Sequence, residues 1–120
     1  MATKYESEIV AVGKMAQEFL DNNSSFIFMD EGKHPSLADM VVQHKVADLK
    51  EDIVVGDMLK VGRTEMKVTK VGDAVNKNFR EEGHITVVVN AEAPLPGQLA
   101  VKSDIPPRLR IGNEIKIYSK

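Results

Sequence analysis

Three histidines, His34, His44 and His84, are the residues of this 120-residue chain best suited to covalent or acid–base chemistry. Imidazole is partly uncharged and nucleophilic at neutral pH, with an ordinary pKa of roughly 6.5. Composition removes the rivals. The chain has no cysteine, which excludes thiol nucleophiles, thiolate zinc sites, iron–sulfur clusters and disulfides together. No phosphate-cradling glycine loop, serine nucleophile elbow or calcium loop occurs. His34 and His44 lie in a loop and a strand, without the His-x-x-x-His spacing of a zinc site, so neither metal nor cofactor is expected. Glu51-Asp52 and Glu81-Glu82 are adjacent carboxylates whose side chains diverge, and they read as solvated faces rather than a catalytic pair.

His44 shares the strand phase Met40-Val42-His44-Val46, opposite the more polar Val41, Gln43 and Lys45. Two readings stand level. The ring is a buried histidine satisfied by a backbone carbonyl, or a neutral nucleophile in a shallow apolar depression. His84 follows Gly83 at the end of an expected helix, where a cation suits the dipole or the ring orients a neighbour. The structural role is favoured for it. His34 lies in the turn-rich Glu31-Gly32-Lys33-His34-Pro35 and reads as a solvated surface residue.

These side chains must be positioned by strands. β-rich segments run over Glu6–Val12, Ser25–Met29, Met40–Ala47, Met58–Val61, Thr64–Val71, Ile85–Val89, Gln98–Lys102 and Glu114–Tyr118, bounded by Gly, Pro, Asp or Asn. Helices are expected over Lys14–Asp21, on the stripe Met15, Ala16, Phe19 and Leu20, and over Ala74–Glu82 with Asp73 as N-cap and Gly83 as the left-handed stop. Pro35–Asp39 adds a helical turn. Many short strands with two small helices predict a mainly β fold: a closed or partly closed barrel of largely antiparallel strands, one domain over residues 1–120.

An internal echo refines that expectation. Asp48-Leu49 followed by Ile53-Val54-Val55-Gly56-Asp57-Met58-Leu59-Lys60-Val61 recurs as Asp104-Ile105 followed by Leu109-Arg110-Ile111-Gly112-Asn113-Glu114-Ile115-Lys116-Ile117. A pseudo-twofold pair of β units around one core would produce it. At the constant spacing of the echo, the position matching His44 is Ala100.

Hydrophobic residues make up 42% and aromatics 5%, predicting an aliphatic core. Sixteen basic residues against 18 acidic give a net charge of −2, without the basic excess that nucleic-acid binding needs. The two halves of the chain differ, at −5 for residues 1–60 and +3 for 61–120, a mild dipole that can bias docking. No apolar run approaches the ~20 residues of a membrane helix. Met1–Glu8 carries charges with no apolar stretch behind them, so a cytoplasmic protein without a secretory leader is expected.

The run Asn78-Phe79-Arg80-Glu81-x-Gly83-His84-Ile85-Thr86, with Val68-Thr69-x-Val71-Gly72 before it and Pro96-Gly97 after it, resembles the glucitol/sorbitol-specific enzyme IIA component of the bacterial phosphotransferase system. The register extends upstream through Glu31-Gly32, Leu37 and the strand ending at His44. The resemblance implies a small β-barrel that takes a phosphoryl group from the phospho-carrier HPr on a histidine and passes it to the IIB component of a glucitol/sorbitol permease. That histidine matches His44; the residues leave the reacting nitrogen open, and related carriers imply the distal Nε2. A second histidine found two residues on in some members is Val46 here. On this reading His84, Thr86 and Lys45 are candidate supports for the phosphoryl group, and Met40, Val42 and Val46 form the apolar rim against which HPr docks. The competing reading is a non-catalytic β-barrel interaction module in which all three histidines are structural.

Overall fold

The structure, a computed structural model, describes residues 2–91 and 94–120. Its elements are β1 (Ala2–Val12), α1 (Ala16–Asn23), β2 (Ser25–Asp30), a 3-10 turn (Pro35–Leu37), β3 (Val42–His44), β4 (Met58–Val61), β5 (Thr64–Val71), α2 (Val75–Glu82), β6 (Ile85–Val89), β7 (Gln98–Lys102) and β8 (Glu114–Ser119). The eight strands close into a barrel in the order β1-β3-β2-β6-β7-β5-β4-β8. Closure pairs each of these strands on both sides, so none presents the unpaired edge that invites aggregation. The pairs are antiparallel except β2 with β3 and β6 with β7, which are parallel. Strand alternation fills the interior: in β6, Ile85, Val87 and Val89 are buried while Thr86 and Val88 between them are not. The core is mainly aliphatic, with Tyr5, Phe26, Phe28 and Phe79 buried in it.

Several expectations change, and the first strand begins at Ala2 rather than Glu6. The strand at Met40–Ala47 shortens to Val42–His44, because after His44 the chain leaves the ladder and residues 45–57 cross the end of the barrel. The first helix starts at Ala16 rather than Lys14, since Gly13 N–H and Met15 N–H are held by the carbonyls of Val41 (2.9 Å) and Asp39 (2.8 Å). Asp73 does not cap α2. The cap residue is Ala74, with no side-chain bond; its own amide is taken by the Pro96 carbonyl at 2.8 Å. Gly83 ends α2 in the left-handed conformation as expected, at φ +62.

The echo is a true structural repeat. Exchanging β1 with β5, β2 with β6, β3 with β7 and β4 with β8 turns the ring order into itself read backwards. Ladder register follows: Tyr5 opposite Ile117, Glu6 opposite Lys116 and Ser7 opposite Ile115 correspond to Thr64 opposite Val61, Glu65 opposite Lys60 and Met66 opposite Leu59. Lys60 faces Lys116, and Ile27 faces Thr86, where the pseudo-twofold axis crosses the wall. The spacing is not constant along the chain. His44 pairs with Ile9 and Asp30, while Val101 pairs with Val68 and Val89, so the counterpart of His44 is Val101, not Ala100. The axis exchanges the two ends of the barrel. One end is closed by α2 and the loop after β3, the other by α1 and the loop after β7.

Candidate functional site

His44 is the last residue of β3 and points into the barrel, on the same face as Val42. The parallel pairing with β2 sets Asp30 beside it, and the antiparallel pairing with β1 sets Ile9 on its other side. A register shift in β1 between Thr3 and Tyr5 turns Tyr5 inward. α2 supplies the roof. Val75 and Phe79, one turn apart, are its buried residues. An isolated helix of eight residues is marginal in water, so this burial is what holds it in place.

The imidazole sits in an aromatic cage, with ring centroids of Phe28 at 5.7 Å, Tyr5 at 5.9 Å and Phe79 at 6.0 Å. Its side chain is 0% exposed, as in the buried reading of the strand and not in the shallow depression of the other. Both nitrogens have partners. Nε2 is 2.9 Å from the Gly83 carbonyl. Nδ1 is 3.0 Å from the Lys45 carbonyl, 3.1 Å from the Tyr5 hydroxyl and 3.4 Å from Ser7 Oγ. With the proton on Nε2, the ring donates to Gly83 and accepts from Tyr5. With it on Nδ1, the ring donates to Lys45 and the Nε2 lone pair faces Gly83. Burial pushes the Tyr5 hydroxyl up, so it stays a proton donor.

Asp30 Oδ1 lies 3.8 Å from Nδ1 and has no hydrogen-bond partner. Burial raises this carboxyl above its usual range, and His44 opposes that rise. Gly83 is what makes room. A Cβ there would collide with the Asp30 carboxylate and lie 2.8 Å from His44 Cε1.

The remaining candidates divide. Lys45 contributes its backbone carbonyl, while its ammonium is exposed and 3.8 Å from Glu8. Thr86 lies between the inward-facing Ile85 and Val87 on β6, so its side chain does not reach the ring. His84 is half-buried and is not among the bonding partners of His44. His34 is not simply solvated: its Nε2–H donates to Glu82 at 2.8 Å and holds that carboxyl below its usual range. Val42 is fully buried against the core and cannot form a docking rim. Met40 is half-buried, and Val46 stands 67% exposed beyond the strand. Among the described residues, no three His, Cys, Asp or Glu side chains are grouped to hold a metal.

Tyr5, Ser7, Asp30 and the Gly83 carbonyl were not expected at the site. The one available signal was Asp30, a charge directly after the apolar run Ser25–Met29. Val54 and Val55, like Val46, are exposed on the loop after β3.

Residues 4–116 match the family model described as the PTS system glucitol/sorbitol-specific IIA component. The PTS system glucitol/sorbitol-specific EIIA components of Shigella flexneri and of Escherichia coli (strain K12) are each 28% identical, covering 99% of this chain and 98% of the relative. The crystal structure of a PTS system IIA component from Enterococcus faecalis V583 superposes with a TM-score of 0.86, at 24% identity over 95% of this chain and 99% of that one, and shares its fold. The family match spans both the strand that carries His44 and the α2 segment that roofs it, and on that ground the chain belongs to the glucitol/sorbitol-specific IIA family of the sugar-importing phosphotransferase system.

Proposed function

We propose that His44 is the phosphoryl acceptor of this IIA component, that phospho-HPr in the cytoplasm is the donor, and that a IIB component of a glucitol/sorbitol permease is the recipient. The P–N bond of phospho-HPr breaks as a P–N bond to His44 forms, in line, and that bond breaks in turn as the phosphoryl group bonds to a nucleophile of IIB. The observation that carries this reading is an imidazole with a carbonyl waiting at each nitrogen. A neutral ring donates to one of these carbonyls at a time and turns a lone pair toward the other. Attack through Nε2 requires the proton on Nδ1, where the Lys45 carbonyl accepts it, and requires the Gly83 carbonyl to move aside. Pre-set orientation of this kind supplies most of what a transfer between two proteins needs. The exposed Val46, Val54 and Val55 offer a partner apolar side chains along the loop that borders the ring. Docking there would shift that loop and uncover His44.

The complete burial of His44, with backbone carbonyls beside the ring, favours the alternative, a non-catalytic module with a structural histidine. Incubation with enzyme I, HPr and phosphoenolpyruvate, followed by intact mass under alkaline conditions, separates the two. One added phosphoryl group, absent in His44→Gln and retained in His84→Gln, is the expected result. Phosphate that follows His84 moves the site. No phosphorylation of a folded protein by active HPr leaves the interaction module.

A further inference from the structure

The pseudo-twofold axis makes each end of the barrel a variant of the other, and one difference concerns charge. Three pairs of backbone bonds fix the correspondence. Val68 N–H to Asp57 O (2.8 Å) matches Ile9 N–H to Asn113 O (2.9 Å). Gly56 N–H to Val68 O (2.9 Å) matches Gly112 N–H to Ile9 O (2.8 Å). Asp57 N–H to Val54 O (3.1 Å) matches Asn113 N–H to Arg110 O (3.2 Å). Asp57 therefore falls on Asn113, and Lys4, at the register shift before Tyr5, falls on Arg63, the turn residue before Thr64.

At the His44 end these two positions neutralise one another. Lys4 Nζ lies 2.8 Å from Asp57 Oδ2 and donates to the Asp52 carbonyl at 2.9 Å, with both side chains buried. At the other end the carboxylate is gone. Asn113 Nδ2 donates to the Arg108 carbonyl at 2.9 Å, the counterpart of the Asp52 carbonyl, so the amide replaces the ammonium there. Arg63 is left over. With Arg108 and Arg110 it lines a cleft of about 430 Å³, whose lining includes no carboxylate. None of the three guanidinium groups makes an ion pair with a described residue. The +3 balance of residues 61–120 includes all three.

Guanidinium groups bind carboxylate and phosphate through paired, charge-assisted hydrogen bonds, and three exposed arginines around one cleft favour a ligand with more than one negative charge. The volume suits a small molecule, since such sites span roughly 300–1,000 Å³. A nucleic acid would need a basic stripe beyond the cleft, which a chain of net charge −2 does not offer. We propose that this cleft is a binding site for a small multivalent oxyanion, a phosphate ester or polycarboxylate, which supplies at this end the negative charge that Asp57 supplies at the other.

The test is calorimetric titration of the full chain with pyrophosphate and, separately, citrate at low ionic strength, against sodium chloride of matched ionic strength. Saturable one-to-one binding of either probe is expected. Arg108→Gln/Arg110→Gln should weaken it by about tenfold or more, the loss of one charge-assisted contact or more. Asn113→Asp, which restores the carboxylate to face Arg63, should weaken it as well, with melting curves verifying that both variants fold. The proposal fails if neither probe saturates, if the double variant binds as tightly as the parent, or if the arginine changes alter self-association and leave anion binding intact.

Discussion

The two ends of the barrel are built from one plan and filled differently. At the α2 end the interior positions hold His44, Asp30 and Tyr5; their counterparts at the α1 end are Val101, Val89 and Thr64. Both His44 and Val101 are fully buried. The barrel closes equally well around a valine, so closure does not call for the imidazole. Placing a histidine and a carboxylate where an aliphatic pair suffices runs against stability, because desolvated polar groups must then be satisfied one by one. The helix stops differ in the same sense. Gly83 and Ser24 both adopt the left-handed conformation after their helices, but only at Gly83 do a carboxylate and an imidazole press where a Cβ would lie. The α2 end thus buries polar groups where the α1 end buries aliphatic ones, apart from the arginine cleft.

The largest effect should come from making the charged ends alike. Asp57→Asn imitates Asn113 but leaves Lys4 buried without its carboxylate, and should lower unfolding free energy by about 3–5 kcal/mol. Chemical denaturation of this variant beside Asn113→Asp checks the asymmetry, since the second change is made at a solvent-facing cleft. Equal losses would remove it.

Next comes the pair of helix stops. Gly83→Ala should cost about 2 kcal/mol or more, combining left-handed strain with the clash against Asp30 and His44. Ser24→Gly relieves strain at φ +53 and should stabilise by about 1 kcal/mol at most. A similar loss in both variants would show that the crowding at Gly83 is not what distinguishes the ends.

Asp30→Asn is a subtler probe. The carboxyl is raised in the folded state, so folding favours its protonated form, and its contribution to stability is lost as pH rises from the ordinary carboxylate range through the raised value. At neutral pH the amide should therefore match or exceed the parent in Tm, and the difference should vanish as pH is lowered toward the ordinary carboxylate range. Thermal melts across pH measure this. A variant less stable at neutral pH would mean that attraction to His44 outweighs burial.

The smallest effect belongs to the exposed pair. The Glu82 carboxyl is held low by His34, so the pair's contribution is present above the ordinary carboxylate range and lost as pH falls through the lowered value. Solvent screens it, and His34→Ala should leave Tm at neutral pH close to that of the parent. A large drop would make this contact part of the closure over His44 rather than a surface pair.

Strand content, both ends of four strands and the left-handed stop at Gly83 were legible because they are local. β-branched runs such as Ile85–Val89 and a glycine after a helical stretch carry their own backbone preferences. The family motif was legible too, since it is a contiguous run ending in Gly83-His84-Ile85-Thr86. What tertiary structure alone decided is the neighbourhood of His44. Asp30 arrives through a parallel pairing, Tyr5 through a register shift in the first strand, and the Gly83 carbonyl through the seating of α2. Each of these depends on how distant segments meet, and alternation within one strand carries no record of its partner. For the same reason Met40-Val42-His44-Val46 read as one apolar face, although closing the barrel buried Val42 and His44 and left Val46 in solvent. The residues determined that a histidine would stand at the end of a strand; barrel closure determined that it would be sealed inside.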